Sequence, residues 1–134
     1  MNRDAYDQNY IEFHSRLLNA FIEKASHQFS SEPMDSADND KDFLAALQQL
    51  PELEGTKQLI QGQALLCRIV AGYPSLMIFL PRDLLWFFGG DCLHFMPDDE
   101  ISIFQALDDQ RQSASEANRP FSYEQARAIA LGLH

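Results

Sequence analysis

Positive charge is scarce in this chain. Ten lysines and arginines stand against 20 aspartates and glutamates, a formal net charge of −10 over 134 residues. Such a field repels a polyanion at long range, so nucleic acid and an anionic membrane surface are not expected as partners. A basic protein partner is drawn inward by the same field. The charge also serves a plainer end, keeping a protein soluble with no partner at all. Cysteine is sparser still, with Cys67 and Cys92 alone. The first residues carry charge at once and offer no apolar core of a secretory signal, and the apolar run at 76–88 is broken by Pro81, Arg82 and Asp83. It falls short of the ~20 apolar residues that cross a bilayer. A cytoplasmic protein with reduced thiols is therefore expected.

Catalytic patterns are missing as well. The sequence contains no Cys-x-x-Cys, no His-Glu-x-x-His and no Gly-x-Ser-x-Gly, which removes the usual spacings for structural zinc, a zinc hydrolase and a nucleophile elbow. No cofactor is expected, no metal ligand set is assigned and no catalytic residue is named. No motif carries a family resemblance.

What is present is apolar and aromatic. Hydrophobic residues make up 46% of the chain and aromatics 11%, with ten phenylalanines, so a chain of this length can bury a core of its own. Only residues 30–41, SSEPMDSADNDK, have almost no apolar side chain, and they read as a flexible acidic linker. Helical periodicity dominates elsewhere. Tyr6, Tyr10, Phe13, Leu17 and Phe21 predict a first helix over residues 4–29, long enough to need a bundle or a dimer seam along its length. A second helix starts near Asp40 and stops at Pro51. A third covers residues 56–71, with Leu59, Gln63, Leu66, Cys67 and Val70 on one face, and Gly72 with Pro74 stops it. Ile101, Phe104 and Leu107 mark a helix over 97–116 whose second half is polar and must cover a partner or enter solvent. Ser122 with Gln125 makes a capping box for a last helix whose apolar face is Ala126, Ile129, Ala130 and Leu133.

The fold class that follows is mainly α, a single domain over residues 1–134 built as a bundle of five to six helices. The apolar runs 76–80 and 92–96 are short enough to pair as a minor two-stranded β element, and an α+β arrangement is the alternative. Between them Pro81 opens a short helix, 82–88, ended by Gly89-Gly90.

The segment 73–100 is the densest in special residues: the sole tryptophan, Pro74, Pro81 and Pro97, and a Cys-x-His among acids. Trp86, Phe87 and Phe88 in succession cannot all face one core, so at least one ring is expected at an interface. The plain alternative is a helix buried all round. If 91–95 is extended, Cys92 and His94 share a face. A Cys-x-His pair can supply two metal ligands, but zinc needs two more, and the surrounding acids favour a protonated, unreactive thiol. Arg82 can bind an acidic group or simply pair with a neighbour. Two functional expectations follow. The first is a non-enzymatic protein–protein interaction module, self-associating as a homodimer, with Arg82, Trp86, Phe87, Phe88, Cys92 and His94 as candidate interface or ligand-binding residues. The second is a ligand- or metal-binding protein, or a minor enzyme, with a pocket around Trp86, Cys92 and His94.

Overall fold

A computed structural model of the chain describes residues 3–31 and 38–133, with side chains for 7–29 and 40–133. The fold is mainly α, as the periodicity requires. Seven α-helices are present among the described residues: α1 (Arg3–Ser31), α2 (Asp38–Gln49), α3 (Gly55–Gly72), α4 (Pro74–Met77), α5 (Arg82–Phe88), α6 (Asp98–Glu116) and α7 (Tyr123–Ala130). Two 3-10 turns, Leu50–Glu52 and Gly90–Phe95, complete the described elements. Residues 32–37, the heart of the expected acidic linker, lie outside the described residues, as does its flexibility.

Helix α1 is the spine. Phe13, Leu18, Phe21 and Ala25 form its buried stripe, and it packs on α2, α5, α6 and α7. Bundle partners of its own chain thus flank this long helix. The core continues through Phe43 and Leu47 of α2, Leu65, Leu66 and Ile69 of α3, Leu84, Leu85 and Phe88 of α5, and Phe104 and Leu107 of α6.

The expected β pairing of 76–80 with 92–96 is not formed, and no strand occurs among the described residues. Pro74 stands at the first position of α4, where its missing N–H and fixed φ suit a helix start. The backbone of Phe79 and Leu80 then donates to the carbonyls of Leu76 and Met77. The second run follows Gly89 and Gly90, both at positive φ (64° and 58°), which turn the chain into 3-10 geometry rather than an extended strand. Short helices also account for the excess over five or six. The proline and glycine punctuation of 73–97 cuts that segment into pieces of four to seven residues.

Two helix faces differ from the periodic reading. In α3 the buried positions are Gly62, Leu65, Leu66 and Ile69, while Leu59 is 42% exposed. The face is rotated because Phe88 needs the space over Gly62: a Cβ there would stand 2.2 Å from the Phe88 ring. In α7 the side turned inward carries Tyr123 and Arg127 together with Ala126 and Ala130, which pack on the core, while Ile129 and, past the end of the helix, Leu133 stay 71% and 52% exposed. The Arg127–Asp83 ion pair shares in setting that rotation. The polar second half of α6 does not run free, since Ala114 is buried and α6 packs on both α1 and α7. The helix ends at Asn118, whose φ of 55° is the left-handed stop that asparagine tolerates, with Arg119 N–H closing on the Ala114 carbonyl at 2.9 Å.

Candidate functional site

The segment after α4 builds a groove. Ile78, in the turn between α4 and α5, is 86% exposed, an extreme value for a β-branched aliphatic side chain. Beside it Phe79, Leu80, Pro81, Phe104 and Leu131 line a depression of about 490 Å³. The groove therefore lies between the 78–81 turn, the first half of α6 and the end of α7. Charged side chains also border it, each already in a pair. Arg82 Nε donates to Glu100 Oε1 at 2.6 Å and its other nitrogen to the Phe95 carbonyl at 2.8 Å. Arg127 donates twice to Asp83, at 2.6 and 2.9 Å. The rim is thus charged but locally neutral, and the floor is apolar.

Behind the groove lies a buried polar cluster. Asp83 is 2% exposed, and the forked pair with Arg127 is what permits a carboxylate there. That bond raises the Arg127 pKa, against the opposing effect of burial. His14 is fully buried inside a box of Tyr10, Phe13, Phe87 and Tyr123 rings, stacked on Phe87 at 4.7 Å. Its Nδ1 lies 2.7 Å from the Tyr10 carbonyl, which can only accept, so Nδ1 carries the proton and Nε2 is a bare acceptor. Burial lowers the His14 pKa to about 4, only partly offset by that backbone bond. Nε2 and the Tyr123 hydroxyl are both buried without a hydrogen-bond partner. Arg111 stacks over Tyr10 at 3.9 Å and donates to Asp7 and Asp108, and Asp108 also accepts from the Trp86 indole at 3.0 Å.

The residues singled out from sequence are placed as follows. Trp86 is half-buried, stacked on Phe104 at 6.2 Å. Phe87 closes the His14 box, and Phe88 is buried against Gly62. All three rings make contacts within the chain. Cys92 and His94 diverge, because 3-10 geometry replaces the extended run that would have aligned them. Cys92 is fully buried, and burial, then the neighbouring Cys67, pushes its thiol up to about 12. The His94 side chain is 80% exposed, 4.0 Å from Asp91. Trp86, Cys92 and His94 therefore do not converge on one pocket. Among the described residues no three His, Cys, Asp or Glu side chains are grouped to hold a metal, and no helix is long and apolar enough to cross a membrane.

Sequence reasoning passed over His14, Tyr123 and the Asp83–Arg127 pair. A signal for His14 was present: it follows Tyr10 by four residues, on the buried stripe of α1. Asp83 stood out as a charge in an apolar block, but its partner lies 44 residues away, beyond any local pattern.

A model of the PA2817-like family matches residues 6–133. The match spans nearly the whole chain, which therefore belongs to the PA2817-like family. No curated protein matches the chain, and no solved structure does.

Proposed function

We propose that this member of the PA2817-like family is a non-enzymatic interaction module of the cytoplasm that docks an apolar segment of a basic protein partner in the groove beside Ile78. The observation that carries this reading is Ile78 itself, 86% exposed at the edge of an apolar depression of about 490 Å³. Leaving so large an aliphatic side chain in water forgoes about 2 kcal/mol of burial, and a partner that covers it recovers that energy. Interface centres of this kind are apolar and ringed by polar groups, which matches a floor of Phe79, Leu80 and Phe104 under the Arg82–Glu100 and Arg127–Asp83 pairs. Arg82 is the sequence candidate that lines this groove. The net charge of −10 selects for a basic partner. Self-association belongs to the same reading, through the exposed apolar side chains of Ile129 in α7 and Leu133 just past it.

The test is affinity capture from the native cell extract with the wild-type protein, an Ile78→Asp variant and an Ile60→Asp variant. Ile60 is 59% exposed on α3 and does not line the groove, so it controls for surface charge. Loss of a captured protein with Ile78→Asp alone is expected, with at least a tenfold drop in retention, since a buried interface anchor is worth 1.4 kcal/mol or more. Equal capture by all three proteins would remove the groove from the reading.

A further inference from the structure

The only two cysteines of the chain, distant in sequence, meet in the fold. The Cys92 Sγ lies 3.8 Å from the backbone carbonyl of Gln63. In an α-helix that carbonyl accepts from the amide four residues on, which here is Cys67. The Cys92 sulfur thus rests on the helical turn that ends at Cys67, and the Cys67 thiol is near enough to help raise the pKa of Cys92. The approach is fixed by close packing. A Cβ on Gly90 would stand 2.6 Å from the Gln63 amide nitrogen, and one on Gly62 would enter the Phe88 ring. Gln63 also donates to the Phe88 carbonyl at 2.8 Å. The whole 88–92 stretch is therefore held against α3 at the position of the two sulfurs. Their exposures differ: Cys67 is half-buried and Cys92 is fully buried.

We propose that Cys67 and Cys92 form a redox pair, joined by a peroxide-class oxidant into an intramolecular disulfide that ties the Gly90–Phe95 turn to α3. The order of events follows from exposure. Cys67, the less buried of the two residues, attacks one peroxide oxygen; the O–O bond breaks and the departing oxygen takes a proton to leave as water or an alcohol. Cys67 is then a sulfenic acid. The sulfur of Cys92 attacks that of Cys67, the S–S bond forms, the S–O bond breaks, and the hydroxyl leaves as water with the Cys92 proton. Two thiols and one peroxide thus give one disulfide, one water and one water or alcohol. Burial keeps Cys92 protonated, so it resolves the sulfenic acid by proximity rather than as the first nucleophile. A single-chain partner also spares Cys67 from pairing with another molecule. The inference stands apart from the docking reading, since neither cysteine lines the groove.

The experiment treats the folded full-length protein with hydrogen peroxide, then records intact mass and a tryptic map without reduction. The expected product has lost two hydrogens, both thiols disappear together, and the Gln58–Arg68 peptide is joined to Asp83–Arg111. Dithiothreitol restores the original mass. In Cys67→Ser, Cys92 stays an unmodified thiol over the same exposure. In Cys92→Ser the reaction stops at a Cys67 sulfenic acid that dimedone traps, and Cys92→Ala serves the same end if the buried hydroxyl disturbs folding. Circular dichroism before and after confirms that the folded protein reacts. The proposal is overturned if Cys67 gains two or three oxygens while Cys92 remains free, if the product is a dimer bridged between two chains, or if neither thiol reacts.

Discussion

His14 brings an imidazole into a box of four aromatic rings with one nitrogen bonded and the other bare. Such a ring tolerates only its neutral form, because protonation would place a cation where burial leaves nothing to receive its second N–H. The groups that reach it from the packed helices largely oppose each other, Asp83 favouring the charged form and Arg127 and Arg111 disfavouring it. With a folded pKa near 4 against 6.5 for the ordinary side chain, the unfolded chain takes up its proton first as pH falls. Stability from this residue is therefore complete above pH 6.5, is lost through the interval down to about 4, and falls no further below it. The shift corresponds to roughly 3 kcal/mol. Between pH 7 and pH 4.5 the urea midpoint of the wild type is expected to fall by more than that of His14→Leu, since only the wild type loses this contribution. Parallel decline of the two proteins would show that His14 does not titrate in the folded core.

At the scale of elements, the fold was legible wherever one helix carries its own pattern. The extents of α1, α3 and α6 follow from apolar spacing, and Ser122 accepts from the Gln125 amide at 3.3 Å as the capping pattern requires. What escaped is what two elements decide together. The rotation of α3 depends on Phe88 fitting over Gly62, and that of α7 in part on Arg127 reaching Asp83; no window of local sequence contains either pair. The short runs at 76–80 and 92–96 are ambiguous by length alone, and proline and glycine resolve them as turns. The groove was illegible for the same reason, because it joins the 78–81 turn to α7 across some fifty residues of chain. The Gly62 contact yields a test of this packing. In a free helix Gly→Ala gains about 0.5–1 kcal/mol. Gly62→Ala instead forces a methyl group to within 2.2 Å of a ring that is 2% exposed and cannot move aside. Overpacking of this kind costs about 1–3 kcal/mol, so the sign reverses. Gly72→Ala, with nothing within 4 Å of the added methyl, is expected to be neutral or slightly stabilising. Thermal unfolding of both variants decides the matter, and a Gly62→Ala protein as stable as wild type would mean that α5 does not press on α3 as described.

Across the whole molecule the charge of −10 gives the two proposed associations opposite responses to salt. A basic partner is drawn to the protein by long-range attraction, and added ions screen it. Two copies of this chain repel one another, and the same ions relieve the repulsion. Screening is strong once the Debye length falls from about 30 Å at 0.01 M salt to about 10 Å at 0.1 M, since distances across a small helical bundle exceed the latter. Within the bundle the short pairs are less affected, because Arg127–Asp83 and Arg111–Asp108 are largely shielded from solvent, while the open Arg16–Glu124 pair contributes little at any salt. Between these two salt levels, retention of the captured partner is therefore expected to fall several-fold and the light-scattering mass of the isolated protein to rise. Ile78→Asp should lower partner retention at both levels, because it removes an apolar contact that ions do not screen. A scattering mass fixed at one chain under both conditions would sink self-association. Partner retention that is indifferent to salt, yet sensitive to Ile78→Asp, would keep the groove and discard the basic character of what fills it.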